Sequence, residues 1–350
     1  MTKTIKVSSR SIGAGAPVFV IAELSGNHRQ ALTEARELVH AAHESGADAV
    51  KLQTYTADTL TIACDNEYFR IGGGTAWDGR TLYDLYQEAS TPWEWHESLA
   101  ELATSLGMVW FSTPFDRTAV DFLERLDVPC YKIASFELVD IPLLRDIAER
   151  GRPVIASTGM ASLGEIDEAV RTLRCGGVEE LALLKCTSAY PAPMEAANLR
   201  TIPHLSKAFD VVAGLSDHTL GIAAPVTAVA LGASIIEKHL TLERARGGPD
   251  AAFSLEPAEF GEMVENVRAA AAALGEVRYG CQSHEEPSRV FRRSLFVVQP
   301  VRQGERFTHD NVRSIRPGHG LPPRELERVV GRRAARDLER GTPLSWDDIA

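Results

Sequence analysis

Short apolar runs and longer amphipathic stretches alternate along the chain from its start to about residue 274. The apolar runs are five or six residues long, and most are rich in β-branched residues, which is typical of buried strands. Eight such strands, mostly separated by helical patterns, predict a closed parallel α/β barrel of the TIM (β/α)8 type. The predicted strands are 18–23, 49–53, 109–113, 130–135, 154–158, 181–186, 211–216 and 234–239.

Helices are marked by glycine and proline at their ends. We predict helices at 32–45, before Gly46, at 162–173, before the glycines at 176 and 177, and at 257–274, which begins with Pro257. The connection from 54 to 91 is much longer than the others, and loops of this length commonly carry function or act as lids.

The barrel pattern ends before the chain does. A polar stretch at 281–290 has the composition of a linker, and the residues after it form short strand-like runs separated by turn residues. We therefore predict a barrel domain over 1–280, a linker over 281–290 and a small domain of mixed structure over 291–350.

The alternation of the second strand predicts where its side chains point. Val50 and Leu52 lie on one face and Lys51 and Gln53 on the other. The helix-facing side of a barrel is apolar, so Lys51 and Gln53 should point inward. A buried ammonium costs several kcal/mol unless an anion meets it, which indicates a binding site.

Composition narrows the class of protein. The formal net charge of −11 argues against nucleic-acid binding. No apolar run approaches the roughly 20 residues of a membrane span, and the N-terminus lacks the apolar core of a signal peptide. Five scattered cysteines suggest reduced thiols. We expect a cytoplasmic enzyme without a nucleic-acid or membrane partner.

Two histidines end neighbouring predicted strands, His218 after 211–216 and His239 at the end of 234–239. Adjacent parallel strands deliver their carboxyl ends to one rim, where barrel enzymes build metal sites. Two protein ligands leave positions open for water and a carbonyl oxygen, which suits Lewis-acid catalysis. We predict a divalent ion, Mn²⁺ in the first place, with Mg²⁺ and Co²⁺ as alternatives.

Lysines and hydroxyls occur at the ends of other strands. Lys51, Lys132 and Lys185 lie on three strands, and point cations of this kind bind phosphate or carboxylate groups. Ser135, Ser157, Thr158 and Ser216 add hydroxyl donors at the same rim. A Schiff-base lysine of an aldolase is the competing interpretation, and the histidine pair argues against it.

Carboxylates complete the predicted rim. Glu23 ends the first strand, Glu137 follows the fourth, and Glu237 shares the inward face with His239. Each could act as an acid, a base or a partner of the metal shell, and structural pairing with the lysines is the alternative.

Motifs along nearly the whole chain resemble those of the sialic acid synthase family, both in their residues and in their order. The C-terminal part, with Phe-Arg-Arg-Ser-Leu at 291–295 and Ser-Ile-Arg-Pro-Gly at 314–318, is similar to the antifreeze-like (SAF) domain of these synthases. The barrel motifs are Ile-Ala-Glu-Leu-Ser-Gly-Asn-His at 21–28, Ala-Asp-Ala-Val-Lys-Leu-Gln-Thr at 47–54, Tyr-Lys-Ile-Ala-Ser at 131–135, Ser-Thr-Gly-Met at 157–160, Gly-Leu-Ser-Asp-His-Thr at 214–219, Glu-Lys-His at 237–239 and Gly-Pro-Asp at 248–250.

The long connection and the residues at 248–254 most resemble the pseudaminic acid branch of the family. That resemblance implies condensation of phosphoenolpyruvate with 2,4-diacetamido-2,4,6-trideoxy-L-altrose and water, giving pseudaminic acid and phosphate. The N-acetylneuraminate and legionaminate branches are the alternatives. The neuraminate branch usually has asparagine where Ser188 stands here. A carbohydrate-binding protein without catalysis is a third class.

The resemblance also implies roles for individual residues. Lys51, Lys132, Ser135, Ser157 and Ser216 would hold phosphoenolpyruvate. Glu137, Tyr190 and Asp250 would contact the N-acetylated amino sugar. Apart from the resemblance, we also predict Lys185 and Ser188 to be substrate-binding residues. His218 and His239 would bind the metal, and Glu23 and Glu137 compete as the proton-transfer group.

Arg316 lies in the Arg-Pro-Gly motif of the C-terminal domain. In the family this domain closes the barrel mouth of a second subunit, and the arginine reaches the sugar. The resemblance therefore implies a domain-swapped homodimer, whereas a surface salt bridge is the simpler role for Arg316.

Overall fold

The computed structural model describes residues 3–74 and 77–350, and these divide into two compact units with the boundary between Gly275 and Glu276. The first unit begins with an antiparallel hairpin that the sequence pattern did not predict, formed by β1 (Thr4–Val7) and β2 (Arg10–Gly13). Its apolar side chains, Ile5, Val7 and Ile12, are buried in the barrel core.

Eight parallel strands then form a closed barrel, in which each strand pairs with the next along the chain and the last pairs with the first. All eight predicted strands are confirmed, with end shifts of one or two residues. They are β3 (Phe19–Glu23), β4 (Ala49–Thr54), β5 (Val109–Pro114), β6 (Tyr131–Ile133), β7 (Val154–Ser157), β8 (Leu181–Cys186), β9 (Val212–Asp217) and β10 (Ile235–His239).

Helices surround the barrel, and the three predicted ones are present. In α7 the N-cap hydroxyl of Ser162 accepts a hydrogen bond from the Glu165 backbone, and α10 begins with the predicted proline. The helices of this unit are α1 (Leu32–Glu44), α2 (Ala57–Leu60), α3 (Leu82–Ala89), α4 (His96–Ser105), α5 (Arg117–Arg125), α6 (Ile141–Ala148), α7 (Leu163–Cys175), α8 (Thr201–Phe209), α9 (Ala223–Ala230) and α10 (Pro257–Leu274).

The main core lies between the strands and the helices. On β4, Val50 and Leu52 face this layer and are almost fully buried, while Lys51 and Gln53 face the barrel mouth, as predicted. Leu38, Val39 and Ala42 cover the strands from α1. Each fully buried aliphatic side chain contributes about 1.5–3 kcal/mol.

The long connection after β4 has more structure than a loop. It contains α2 and α3, and between them the backbone turns back on itself: Ile71 N–H donates to Arg80 O (2.8 Å) and Gly79 N–H to Ile71 O (2.8 Å). The sequence pattern missed these short helices because each spans at most eight residues.

The second unit has its own small core. Strands β11 (Ser294–Val297) and β12 (Val312–Ile315) pair antiparallel, and α11 (Leu326–Val329) is its one α-helix among the described residues. The buried side chains of this core include Leu295, Val297, Phe307, Val312 and Val329. In neither unit do the described residues form a helix with the length and apolar character needed to span a membrane.

Candidate active site

The carboxyl ends of the barrel strands surround a cavity of about 370 Å³. This is the end at which barrel enzymes place their catalytic groups. Most of the site residues predicted from the sequence meet here: Glu23, Lys51, Lys132, Ser135, Glu137, Ser157, Tyr190, Ser216, His218, His239 and Asp250.

Three predicted substrate-binding residues do not line this cavity. Lys185 lies on β8 between Leu184 and Cys186, and its side chain points away from the cavity. Its ammonium donates to Cys186 O (2.6 Å) and Thr187 Oγ1 (3.1 Å). Ser188 lies next to the cavity, with its Oγ 3.7 Å from Cys186 Sγ. Arg316 is exposed after β12 in the second unit.

Lys51 is held between two carboxylates inside the barrel. Its Nζ lies 2.8 Å from Glu23 Oε2 and 2.8 Å from Glu237 Oε1, and all three side chains are buried. Burial lowers the pKa of Lys51 to about 8, although Glu237 partly opposes that shift. The lysine that the strand pattern directed inward is therefore partnered, as a buried charge must be.

Lys132 enters the same network from β6. Its Nζ donates to Ser157 Oγ (2.7 Å) and Ile133 O (2.8 Å) and lies 4.0 Å from Glu237 Oε1. Burial alone would raise the pKa of Glu237, but Lys132 and Lys51 outweigh it and hold that pKa well below its usual range. Ser216 Oγ also donates to Glu237, 3.1 Å away.

The two histidines lie side by side, with their ring centroids 5.2 Å apart and both rings buried. Phe253 packs edge-on against each of them. Nδ1 of His218 lies 3.1 Å from Thr187 O, which can only accept, so this nitrogen carries a proton and Nε2 has a lone pair whenever the ring is neutral. Burial opposes ionisation of His218, but the Cys186 thiol and Thr187 O outweigh it and raise its pKa above the usual value. In the matching tautomer of His239, Nδ1 donates to Ser25 Oγ at 3.3 Å.

These histidines fit a divalent metal ion. Burial, together with the neighbouring His218, lowers the pKa of His239 well below its usual value, so its ring is neutral and able to ligate. Hydrogen bonding at Nδ1 is the usual way in which a protein orients a ligating imidazole. Within 3–74 and 77–350, no group of three or more His, Cys, Asp or Glu side chains is placed to hold a metal. An ion held by these two histidines would keep most of its coordination positions open to other ligands.

The two candidate proton-transfer groups have different surroundings. Besides its ion pair with Lys51, Glu23 accepts hydrogen bonds at Oε1 from Ser25 N (3.1 Å) and Gln53 Nε2 (3.0 Å). Burial raises the pKa of Glu137 to about 7, and its Oε2 has no hydrogen-bond partner in the part of the chain that the structure describes. Glu137 therefore exchanges a proton near neutral pH.

The apolar part of the cavity was not predicted from the sequence. Leu60, Ile71, Trp77, Leu82 and Leu85 line it, and all five come from the long connection between β4 and α4. They follow no strand alternation, so the sequence gives no signal for their direction. Phe253 was inside the motif at 248–254, but nothing in that motif indicated contact with the histidines.

Family models match both parts of the chain. The model described as the NeuB family covers residues 38–279, and the SAF domain model covers 292–350. The chain belongs to the NeuB family. Membership confirms the predicted fold and the prediction that the chain is an enzyme, and synthases of the NeuB family generally depend on a metal.

Curated relatives in the NeuB family cover almost the whole chain. A pseudaminic acid synthase of Helicobacter pylori is 45% identical over 95% of this chain and 98% of its own length. An N,N'-diacetyllegionaminic acid synthase of Legionella pneumophila is 39% identical over 96% of each protein. A solved N-acetylneuraminic acid synthetase of Leptospira borgpetersenii, in complex with citrate, is 32% identical and superposes with a TM-score of 0.73 over 82% of this chain and 95% of the other.

Proposed function

We propose that the chain condenses phosphoenolpyruvate with 2,4-diacetamido-2,4,6-trideoxy-L-altrose and water to give pseudaminic acid and phosphate. The observation that carries this proposal is that a single cavity contains a histidine pair suited to a metal and two buried lysines suited to an anion. The 45% identity to a pseudaminic acid synthase supports the choice of sugar.

Phosphoenolpyruvate would bind at the lysine cluster. Lys51 and Lys132 supply positive charge inside the barrel, and Ser135, Ser157 and Ser216 supply hydroxyls beside them. Ser135 Oγ is held in place at the cavity wall by the Gly159 N–H, from which it accepts a hydrogen bond at 3.0 Å. These groups bind and orient the phosphate and carboxylate in a site largely shielded from water.

The sugar would bind beside the histidines, in contact with Glu137, Tyr190 and Asp250, with Ser188 at the border. Tyr190 packs against the His218 ring, with centroids 4.5 Å apart, and so fixes one wall of this subsite. His218 and His239 would hold Mn²⁺, and when bound this ion would polarise the aldehyde oxygen of the sugar.

The surroundings of the two glutamates suggest which one donates a proton. C3 of phosphoenolpyruvate attacks the aldehyde carbon, and Glu137, half-protonated near neutral pH, gives its proton to the aldehyde oxygen. Water then adds to C2 and releases a proton to Glu23, whose carboxylate lies 2.8 Å from Lys51 Nζ. The C2–O bond to the phosphate then breaks, the C2 hydroxyl passes its proton to the departing phosphate, and a ketone remains at C2.

The active unit in this proposal is a homodimer in which Arg316 of one subunit reaches the sugar of the other. Large apolar side chains are exposed in the connections after the barrel strands and at the start of α7, where a partner would cover them. They are Phe136, Val139, Met160, Leu163 and Leu220.

The five unpaired cysteines support a cytoplasmic location.

Product analysis tests this proposal. The chain is incubated with phosphoenolpyruvate, Mn²⁺ and each candidate sugar, and the nine-carbon product is identified by mass spectrometry and NMR. Formation of pseudaminic acid from the altrose sugar is the expected result. The 39% identity to a legionaminic acid synthase makes that product the second candidate, and its exclusive formation would replace the first.

A further inference from the structure

One wall of the cavity is apolar and comes from a single connection. Leu60, Ile71, Trp77, Leu82 and Leu85 all lie between β4 and α4, and together we call them the apolar collar. The charged groups of the cavity come instead from the barrel strands and from the connections after β6 and β10. The cavity therefore has a charged side that suits ionic groups and an apolar side that suits hydrocarbon groups.

The collar residues are held in place by local structure. Leu82 is the first residue of α3, directly after its N-cap Thr81, and Leu85 is buried one turn later. Backbone hydrogen bonds to Gly79 and Arg80 fix Ile71.

Trp77 ties the collar to two other loops of the barrel. Its Nε1–H donates to Pro249 O at 2.8 Å, and its ring lies 5.5 Å from Tyr190. Pro249 follows β10 and Tyr190 follows β8, so the collar is attached to the loops that carry the proposed sugar contacts. Such attachment is what a specificity wall requires.

The chemistry of the collar favours some sugar substituents over others. A hydroxyl group placed against these side chains would lose its hydrogen bonds to water and gain none, whereas a methyl group would gain apolar contact. A trideoxy diacetamido sugar presents a methyl at C5 and an acetamido methyl at C4. N-acetylmannosamine presents a hydroxymethyl group and a hydroxyl group at those positions.

We propose that the apolar collar determines specificity by receiving the C6 methyl group and the C4 acetamido methyl group of the sugar. This inference rests on the proposed function and deepens it. The collar recognises the replacement of hydroxyls by methyl-bearing groups and not the configuration at each carbon. It thus separates trideoxy diacetamido sugars as a class from N-acetylmannosamine.

Steady-state kinetics on two collar variants test the inference. Leu82→Gln and Ile71→Asn place an amide in the collar, and Ile62→Gln, at an exposed position of the same connection, is the control. For each protein, kcat/KM is measured with three sugars: 2,4-diacetamido-2,4,6-trideoxy-L-altrose, 2,4-diacetamido-2,4,6-trideoxy-D-mannose and N-acetylmannosamine. Phosphoenolpyruvate binding and the melting temperature show whether each variant is folded.

In the collar variants, the preference for the trideoxy sugars over N-acetylmannosamine should fall about 10-fold or more. The ratio between the two trideoxy sugars should stay within about twofold, and the control should match the unmodified chain. An equal loss with all three sugars, in variants that still bind phosphoenolpyruvate, would overturn the inference. Failure of the proposed function looks different, because the unmodified chain would then turn over neither trideoxy sugar.

Discussion

Lys238 Nζ lies 2.5 Å from Asp217 Oδ2, and each of these two residues directly precedes one of the cavity histidines in the sequence. Both side chains are buried on the helix-facing side of β9 and β10. The lysine also donates to Thr219 O, and Asp217 accepts from Thr219 N–H at 3.0 Å. The pair therefore fixes the backbone on both sides of His218 and immediately before His239.

Removal of the lysine should destabilise the barrel and loosen the histidines. Lys238→Met leaves a buried carboxylate without its cation, and we expect the free energy of unfolding in urea to fall by about 3–5 kcal/mol. The affinity for Mn²⁺, measured by calorimetry, should fall roughly 10- to 100-fold.

Two comparisons separate this effect from general damage. The double variant Asp217→Asn/Lys238→Met has no uncompensated charge and should be more stable than Lys238→Met alone. Arg171→Met breaks the exposed pair with Asp167 and should cost no more than about 1 kcal/mol. Equal stability of all three variants would contradict a positioning role for the buried pair.

Loss of a histidine should abolish turnover without unfolding the chain. In His239→Ala the proposed metal site loses one of its two protein ligands, so tight Mn²⁺ binding and phosphate release should both disappear. Circular dichroism should show the same helix content as the unmodified chain. His204→Ala, at an exposed position of α8, should keep full activity; normal metal-dependent turnover in His239→Ala would disprove the metal assignment.

The strand pattern predicted the barrel well because parallel strands of a barrel are apolar and evenly spaced. It also placed Lys51 and Gln53 correctly, since β4 alternates strictly between apolar and polar residues. On β8 the pattern gives no direction. Leu184 and Cys186 lie on one face of the strand and Leu183 lies on the same face as Lys185, so both faces of the strand are apolar in sequence. The structure directs Lys185 away from the cavity, which the sequence alone could not decide.

Other features depend on contacts distant in sequence. The Lys238–Asp217 pair spans two strands and is only visible once their register is known, with these residues opposite each other. The apolar collar comes from short helices and a tight turn, whose side-chain directions follow no period. Arg316 stays a prediction from the family resemblance.

Lys132 and Lys185 provide a matched test of anion binding. Lys132→Met removes a buried ammonium from the cavity, and we expect the dissociation constant for phosphoenolpyruvate to rise roughly 10- to 100-fold, as for loss of a charged hydrogen bond. Lys185→Met should change it less than about twofold because Lys185 does not line the cavity. Fluorescence or calorimetric titration measures both dissociation constants. A similar loss of affinity in the two variants would mean that Lys185 does bind phosphoenolpyruvate.

Glu137 should set the alkaline limb of the activity. Burial raises its pKa to about 7, so the carboxyl group is protonated below that pH and ionised above it. If it donates a proton, kcat/KM should fall as the pH rises through about 7. In Glu137→Gln this limb should vanish together with most of the activity, whereas Glu23→Gln should keep the limb at low overall rate. A limb that survives in Glu137→Gln would assign it to another group.

Subunit mixing tests the role of Arg316. Arg316→Ala should raise KM for the sugar more than KM for phosphoenolpyruvate, while Arg313→Ala, an exposed arginine on β12, should change neither. If the domains are swapped, mixing Arg316→Ala with inactive His239→Ala should recover up to about a quarter of full activity, because each mixed dimer contains one intact site. No recovery between subunits shown to exchange would contradict the swapped arrangement.

In the proposed reaction, one cavity joins an anion bound by lysines to a sugar bound beside a histidine-held metal. Phosphate release from phosphoenolpyruvate, measured with each of the three sugars and with or without EDTA, tests it most directly. We expect release with the altrose sugar that EDTA abolishes and added Mn²⁺ restores, and no release of comparable rate with N-acetylmannosamine. Release that is unaffected by EDTA, or no release with any of the sugars, would contradict it.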